Sequence, residues 1–191
     1  MVDRIIQIDK ELLIFLNNLG NELFDNFWLT ITNQFNWTPL FIFILYVIFK
    51  KLGLKKGLFT CLFIIFLVIF SDQFTNMIRG IFERLRPNND ISVSKFLRPS
   101  LINPQSFSFI SGHATTSTFL TVFVVLLLKD LFKPIKLLFL FPLFFAYSRI
   151  YLGVHFPIDI LVGGTVGGTL GYFFFKLYLK IESYLEKRKI V

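Results

Sequence analysis

The sequence predicts an all-α protein: an integral membrane helical bundle of about five transmembrane helices, with an N-terminal interfacial amphipathic helix. Of the 191 residues, 54% are hydrophobic and only 17% are charged, whereas soluble domains contain about 25% charged residues. One small globule cannot bury so much apolar surface and still present a wettable exterior. The composition therefore excludes a disordered chain and argues against a conventional soluble enzyme. The single cysteine, Cys61, also excludes a disulfide scaffold.

Apolar residues are concentrated in five runs, each long enough to cross a hydrocarbon core about 30 Å thick. These runs cover Asn36–Phe49, Gly57–Ile78, His113–Leu128, Pro134–Leu152 and Pro157–Leu179. We expect them to form a transmembrane bundle over residues 36–179, within one domain of residues 1–191. Four runs carry a charged or titratable side chain toward the same predicted side of the membrane, namely Asp72, His113, Arg149 and Asp159. Such side chains are costly inside a membrane and usually face protein or a water-filled cavity, so they mark candidate functional sites.

The first 35 residues have a different pattern. Apolar residues such as Ile6 and Leu13 alternate with charged residues such as Asp9 and Lys10. This amphipathic pattern is typical of a helix that lies at the membrane interface. A short sixth span near Leu12–Phe24 is the alternative.

The charge distribution predicts the orientation. Five spans place the two termini on opposite sides of the membrane. The segments 50–56, 129–136 and 176–191 share one side and hold 12 basic and three acidic residues, although the whole chain carries only +8. The positive-inside rule assigns that side to the cytoplasm, including a basic tail over 180–191. We therefore expect a protein of the cell (inner) membrane and, because the basic residues flank apolar runs, no nucleic acid partner.

The fifth run contains five glycines, which form two overlapping stripes of small residues. They are Gly163, Gly164, Gly167, Gly168 and Gly171. Small residues at this spacing let two helix backbones approach closely. We interpret the stripes as a helix-packing surface.

Three short patterns carry the candidate chemistry. They are Arg79-x6-Arg86-Pro87, Ser111-Gly112-His113 and Ser148-Arg149-x5-His155-x3-Asp159. In the predicted topology all three lie on the extracytoplasmic side, although the topology rests on charge counts alone. The only two histidines of the chain belong to these patterns.

The residue types point to an anion, most plausibly phosphate. Arginine side chains match phosphate oxygens with two parallel hydrogen bonds and remain charged at every working pH. Arg79, Arg86 and Arg149 are therefore candidates to neutralise a phosphoryl group and its transition state. The chain lacks the closely spaced ligands that zinc needs, and the arginines would repel a cation. We predict no metal and no cofactor.

The remaining members of the patterns fit phosphoryl transfer. Ser111 and Gly112 lie where the third span begins, and free N–H groups at a helix start bind anions. His113 is next to that position and is suited to protonate a leaving oxygen. Asp159 can accept the N–H of His155 and select its tautomer, which leaves the other ring nitrogen free to attack phosphorus.

These patterns resemble the signature motifs of the type 2 phosphatidic acid phosphatase family, which shares its core with vanadium-dependent haloperoxidases. The family pattern is Lys-x6-Arg-Pro, Pro-Ser-Gly-His and Ser-Arg-x5-His-x3-Asp. Arg79 occupies the lysine position, and Ile110 replaces the proline before Ser111. The resemblance implies a metal-independent phosphatase in which His155 forms a phosphohistidine, Asp159 orients it and His113 is the general acid.

The resemblance leaves several substrates open. Its implied substrate is a membrane lipid phosphate, and the layout of the N-terminal segment favours undecaprenyl diphosphate. Phosphatidylglycerol phosphate, phosphatidic acid and the phosphates of lipid A are alternatives, as is a lipid phosphotransferase with the same site. A haloperoxidase and a non-catalytic protein that binds lipid phosphates are more remote. The oligomeric state is not predicted.

Several charged residues outside the patterns receive weaker predictions. Asp72 lies two helical turns before Arg79, and we expect it to pair with a site arginine or another polar group. Arg84 is interpreted as an interfacial charge. Lys95 and Arg98, in the long connection between the second and third spans, are interpreted as solvated.

Overall fold

The computed structural model describes residues 2–188, and every regular element in that range is a helix. Seven α-helices follow in chain order. They are α1 (Val2–Asn18), α2 (Glu22–Thr32), α3 (Thr38–Phe82), α4 (Ile91–Ser94), α5 (Gly112–Leu128), α6 (Leu140–Tyr151) and α7 (Pro157–Lys187). Short 3-10 turns cover Gln34–Trp37, Pro87–Asn89 and Lys133–Phe139. The predicted all-α class is confirmed.

Helix α3 is a hairpin of two membrane-crossing arms, 38–52 and 54–82. Gly53 lies between them with φ 76° and ψ 177°, a backbone conformation that favours glycine. In a straight helix, Thr38 and Arg79 would lie about 60 Å apart, yet both line one cavity. The two arms correspond to the first two predicted spans.

The other predicted spans also form helices. Within residues 2–188, three stretches are long and apolar enough to cross a membrane: Gln34–Ser94, which contains the hairpin, Lys133–Tyr151 and Pro157–Lys187. The 17-residue helix α5 is apolar but shorter. Because α3 crosses twice, the chain makes about five crossings, as predicted, and it is an integral membrane protein.

Two boundaries differ from the prediction. The N-terminal segment forms two helices rather than one. Asn21 separates them, because its side chain accepts the N–H of Leu23 and starts α2. At the other end, α7 continues to Lys187, so most of the predicted tail 180–191 is helical, and residues 189–191 lie outside the described range.

Helices α5 and α7 pack closely at the centre of the bundle. A Cβ atom at Gly167 would lie 2.3 Å from the Thr115 carbonyl oxygen. Gly163 and Gly171 face α5 in the same way, whereas Gly168 has only ordinary contacts at 3.9 Å. One of the two predicted stripes therefore forms the close interface.

The two ends of the bundle have different chemistry. At one end, Lys56 follows the Gly53 turn and pairs with Glu182 at 3.4 Å and with Glu186 at 2.5 Å, near the end of α7. At the opposite end, the last turn of α3 meets the first turn of α5, which in turn meets the first turn of α7. The three sequence patterns all lie at this second end.

Candidate active site

The starts of α5 and α7 meet directly. Ser111 is the N-cap of α5, and its Oγ accepts the N–H of Ala114 at 3.3 Å. The N–H of Ser111 donates to the carbonyl oxygen of Asp159 at 3.2 Å. Ser111 is fully buried. Among the described residues, the N–H groups of Gly112 and His113 in the first turn of α5 have no hydrogen-bond partner. They therefore remain as donors for an anion.

A cavity of about 630 Å³ opens between the two arms of α3, α5 and α6. Its polar lining includes five predicted site residues: Arg79, Arg86, Gly112, His113 and Arg149. Its apolar lining comes from residues deeper in the bundle. They are Phe41, Val68, Leu120, Phe141 and Phe145. The cavity therefore changes from cationic at the end of the bundle to apolar inside it.

Arg79 is held at the cavity wall by its own helix and by the connection that precedes α5. Its Nε donates to the carbonyl oxygen of Ile110 at 3.2 Å, and its Nη1 donates to Asn76 Oδ1 at 3.1 Å. A Cβ atom at Gly112 would lie 2.7 Å from Arg79 Nη2, so any other residue there would require the guanidinium to shift. Asp72 lines the same cavity but bonds to the Asn76 amide at 3.2 Å, and its link to Arg79 is indirect.

Arg86 is buried and held by backbone groups. Its Nε donates to the Ser106 carbonyl oxygen at 2.7 Å, and its Nη1 donates to the Val154 carbonyl oxygen at 2.9 Å. Burial and the nearby charge of Arg79 lower the pKa of Arg86 to about 10, so it stays charged at neutral pH. Arg86 therefore brings a fixed positive charge to the cavity.

Arg149 has an unused donor. Its Nη1 donates to Thr32 Oγ1 at 2.7 Å, which ties α2 to the site. Its Nε is buried without a hydrogen-bond partner among the described residues. A buried unpaired donor is unfavourable, and an anion in the cavity would satisfy it.

His155 lies in the connection between α6 and α7 and is fully buried. Arg86 Nη1 lies 3.0 Å from its Nε2. Because a guanidinium only donates, Nε2 accepts and the ring proton lies on Nδ1, which faces Asp159 Oδ2 at 3.4 Å. Burial, with the charges of Arg86, Arg149 and Arg79, lowers the pKa of His155 well below 6.5. The ring is therefore neutral, with its Nε2 lone pair directed at the cavity arginine.

His113 and Asp159 occupy different parts of the site. The His113 ring stacks on Phe145 with centroids 4.6 Å apart and lines the cavity. Asp159 is fully buried in the first turn of α7, where Oδ2 also accepts the Phe156 N–H at 2.9 Å. The structure thus brings all eight predicted site residues to one end of the bundle, five on the cavity wall and Ser111, His155 and Asp159 behind it.

Two arginines make contacts that were not predicted from the sequence. Arg84 is not merely an interfacial charge, because Nη1 donates to Asp159 Oδ1 at 2.7 Å and Nη2 donates to Asp9 Oδ2 at 2.6 Å. Burial raises the pKa of Asp9 despite the bonds from Arg84 and from the Ile158 N–H. Arg98 is not simply solvated either, since it pairs with Asp25 at 2.8 Å.

These features define an integral membrane protein with a cationic cavity suited to a phosphoryl group. Among residues 2–188, His, Cys, Asp and Glu side chains form no group of three that could hold a metal ion. A sequence model of the PAP2 superfamily matches residues 56–183. The chain belongs to the PAP2 superfamily.

Individual relatives agree with this assignment. The lipid A 4'-phosphatase of Bacteroides thetaiotaomicron is 30% identical over 190 residues, covering 97% of this chain and 84% of the relative. The undecaprenyl-diphosphatase of Sulfolobus acidocaldarius is 27% identical over 179 residues, covering 94% and 73%. The family resemblance and the prediction of a membrane phosphatase are both confirmed.

A solved structure supports the fold. The transmembrane PAP2-type phosphatidylglycerolphosphate phosphatase of Bacillus subtilis superposes with a TM-score of 0.71. The two chains are 21% identical, and the match covers 93% of this chain and 87% of the other. The helical membrane architecture is therefore shared beyond the short motifs.

Proposed function

We propose that the protein is a metal-independent lipid phosphatase of the cell (inner) membrane, with its site on the extracytoplasmic side. It hydrolyses the phosphomonoester or diphosphate head group of a lipid through a phosphohistidine on His155. The observation that carries this proposal is the neutral His155 ring, held between Asp159 on Nδ1 and Arg86 on Nε2.

In the first step, His155 Nε2 attacks phosphorus and the bond from phosphorus to the leaving oxygen breaks. The Arg86 N–H that donates to Nε2 now donates to a phosphoryl oxygen instead, and Arg79 and Arg149 donate to the same group. His113, protonated while the anionic head group is bound, gives its proton to the leaving oxygen. Asp159 accepts the hydrogen bond from Nδ1–H throughout and stabilises the charge that forms on the ring.

In the second step, water attacks the phosphohistidine and the N–P bond breaks. His113, neutral after the first step, takes a proton from the water. Inorganic phosphate leaves, and His155 Nε2 regains its lone pair. Atoms and charges return to the starting state without a metal.

The cavity also supports a lipid as the substrate. Its apolar lining lies deeper in the bundle than its arginines, so the head group of an amphiphile can lie among the arginines, in front of His155, while its tail follows the apolar wall. The Bacteroides relative supports a lipid A phosphate, and the Sulfolobus relative supports undecaprenyl diphosphate. These are the two substrates to compare first, with phosphatidylglycerol phosphate and phosphatidic acid as alternatives.

Phosphate release from purified protein in detergent tests the proposal. With chelator present, we expect turnover on at least one member of a panel of lipid mono- and diphosphates. His155→Ala should lower kcat at least about 1,000-fold, whereas Lys55→Gln, exposed at the opposite end of the bundle, should match the wild type. Turnover that survives His155→Ala, or that requires a divalent metal, contradicts the mechanism.

The same assay separates the alternatives. With a labelled phosphate, a phosphatase puts the label into inorganic phosphate, whereas a phosphotransferase puts it into a second lipid. Binding of the lipid without turnover would instead favour a non-catalytic protein.

A further inference from the structure

We infer that Asp9 and Arg84 form a positioning pair that holds Asp159, and through Asp159 the His155 ring. This inference rests on the proposed function. It makes the amphipathic helix α1 part of the catalytic unit rather than only a membrane-surface element. Asp9 lies outside residues 56–183, which the superfamily model matches.

Arg84 joins two carboxylates that are fully buried. Its Nη1 and Nη2 donate to Asp159 Oδ1 at 2.7 Å and to Asp9 Oδ2 at 2.6 Å. The guanidinium lies over the Phe156 ring, with its carbon 3.8 Å from the centroid. Both carboxylate side chains are 0% exposed, so no water replaces the arginine as a partner.

The remaining oxygens of the two carboxylates are also engaged. Asp159 Oδ2 accepts the Phe156 N–H at 2.9 Å and faces His155 Nδ1. Asp9 Oδ1 accepts the Ile158 N–H at 2.9 Å. Asp9 therefore anchors both the arginine and the first turn of α7, the turn that carries Asp159.

The electrostatic consequence follows from the burial. Without Arg84, two dry carboxylates would face each other with no cation between them, and one would take up a proton. The Nδ1–H tautomer of His155 is the one that leaves the Nε2 lone pair available. A protonated or rotated Asp159 no longer holds this tautomer. Neither Asp9 nor Arg84 lines the cavity, so the pair acts on catalysis through Asp159 and not through substrate contact.

Steady-state kinetics of the full-length protein tests the pair. Arg84→Gln and Asp9→Asn should each lower kcat about 10- to 100-fold with KM unchanged, and Arg84→Lys should restore part of the loss. The matched control is Lys10→Gln, because Lys10 pairs with Asp90 at 3.1 Å and ties the same helix to the 83–111 connection without reaching Asp159. This control should match the wild type.

An Asp159→Asn background decides whether the pair acts through Asp159. In that background, Arg84→Gln should lower kcat by less than about a further twofold, because the interaction that Arg84 supports is already lost. A full additional loss, a raised KM, or unchanged kcat in both single variants would overturn the inference. If His155→Ala retained turnover, the proposed function would fail instead. Asp9→Asn keeps the size of the side chain and serves as the second variant if Arg84→Gln does not fold.

Discussion

At the scale of single residues, the state of His155 depends on its neighbours more than on its own chemistry. A free imidazole has a pKa near 6.5 and exchanges its proton between two nitrogens. Here Arg86 donates to Nε2 and Asp159 faces Nδ1, and both groups are buried with the ring. The protein therefore selects one neutral tautomer, the one that can act as a nucleophile.

This environment predicts how His155 responds to pH. Burial and the arginine charges lower its pKa, so as the pH falls through 6.5 the ring should stay neutral and keep its nucleophilic lone pair. The chain has only two histidines, so nitrogen NMR of ¹⁵N-histidine-labelled His113→Asn shows His155 alone. We expect an Nδ1–H tautomer whose titration midpoint lies below pH 6.5. Titration at or above pH 6.5 would contradict this assignment.

At the scale of elements, the contact of α5 with α7 sets the position of the site. The start of α5 carries Gly112 and His113, and the start of α7 carries Asp159. The Gly163, Gly167 and Gly171 stripe lets the two backbones approach without side chains between them. Any change in that spacing moves His113 relative to Asp159 and to the neighbouring His155.

Two neighbouring glycines test this role. In Gly167→Ala, the new Cβ would lie 2.3 Å from the Thr115 carbonyl oxygen, and we expect a loss of about 1–3 kcal/mol in stability together with reduced activity. Gly168→Ala meets Thr118 only at 3.9 Å and gains helix propensity of up to about 1 kcal/mol. Thermal unfolding in detergent measures the stability of both variants. Equal effects of the two substitutions would show that the stripe does not set the contact.

At the scale of the whole molecule, the chain separates its charges along the bundle. The site end gathers three patterns that are distant in sequence, whereas the basic segments lie at the other end, where Lys56 pairs with Glu182 and Glu186. An odd number of crossings leaves the two termini on opposite sides. The positive-inside rule then predicts that the site opens to the extracytoplasmic side.

Cysteine labelling in intact cells tests this orientation. Cys61 is the only cysteine, so a Cys61→Ser background accepts single reporters. Ser100→Cys, exposed in the 83–111 connection, should react with an impermeant maleimide, and Lys55→Cys, exposed beside the Gly53 turn, should not. The reverse pattern would place the site in the cytoplasm.

The fold and most of the site were predictable because their signals are local. Apolar runs divided by Lys50–Lys56 predict the two arms of α3, and the four-residue spacing of His155 and Asp159 lets their side chains meet at the start of α7. The break at Asn21 and the extension of α7 to Lys187 were not predicted, because capping and fraying at helix ends depend on packing.

The sequence by itself determined the membrane bundle, the phosphoryl-binding residue types and the end of the bundle at which they meet. Only the tertiary structure decided that Asp9 and Arg84 support Asp159, and that Thr32 holds Arg149. The physical reason is that hydrophobicity and motif spacing act over neighbouring residues. Arg84 and its two carboxylates are each 75 residues apart in the chain, and only the packing of α1 against α7 buries both carboxylates beside the arginine.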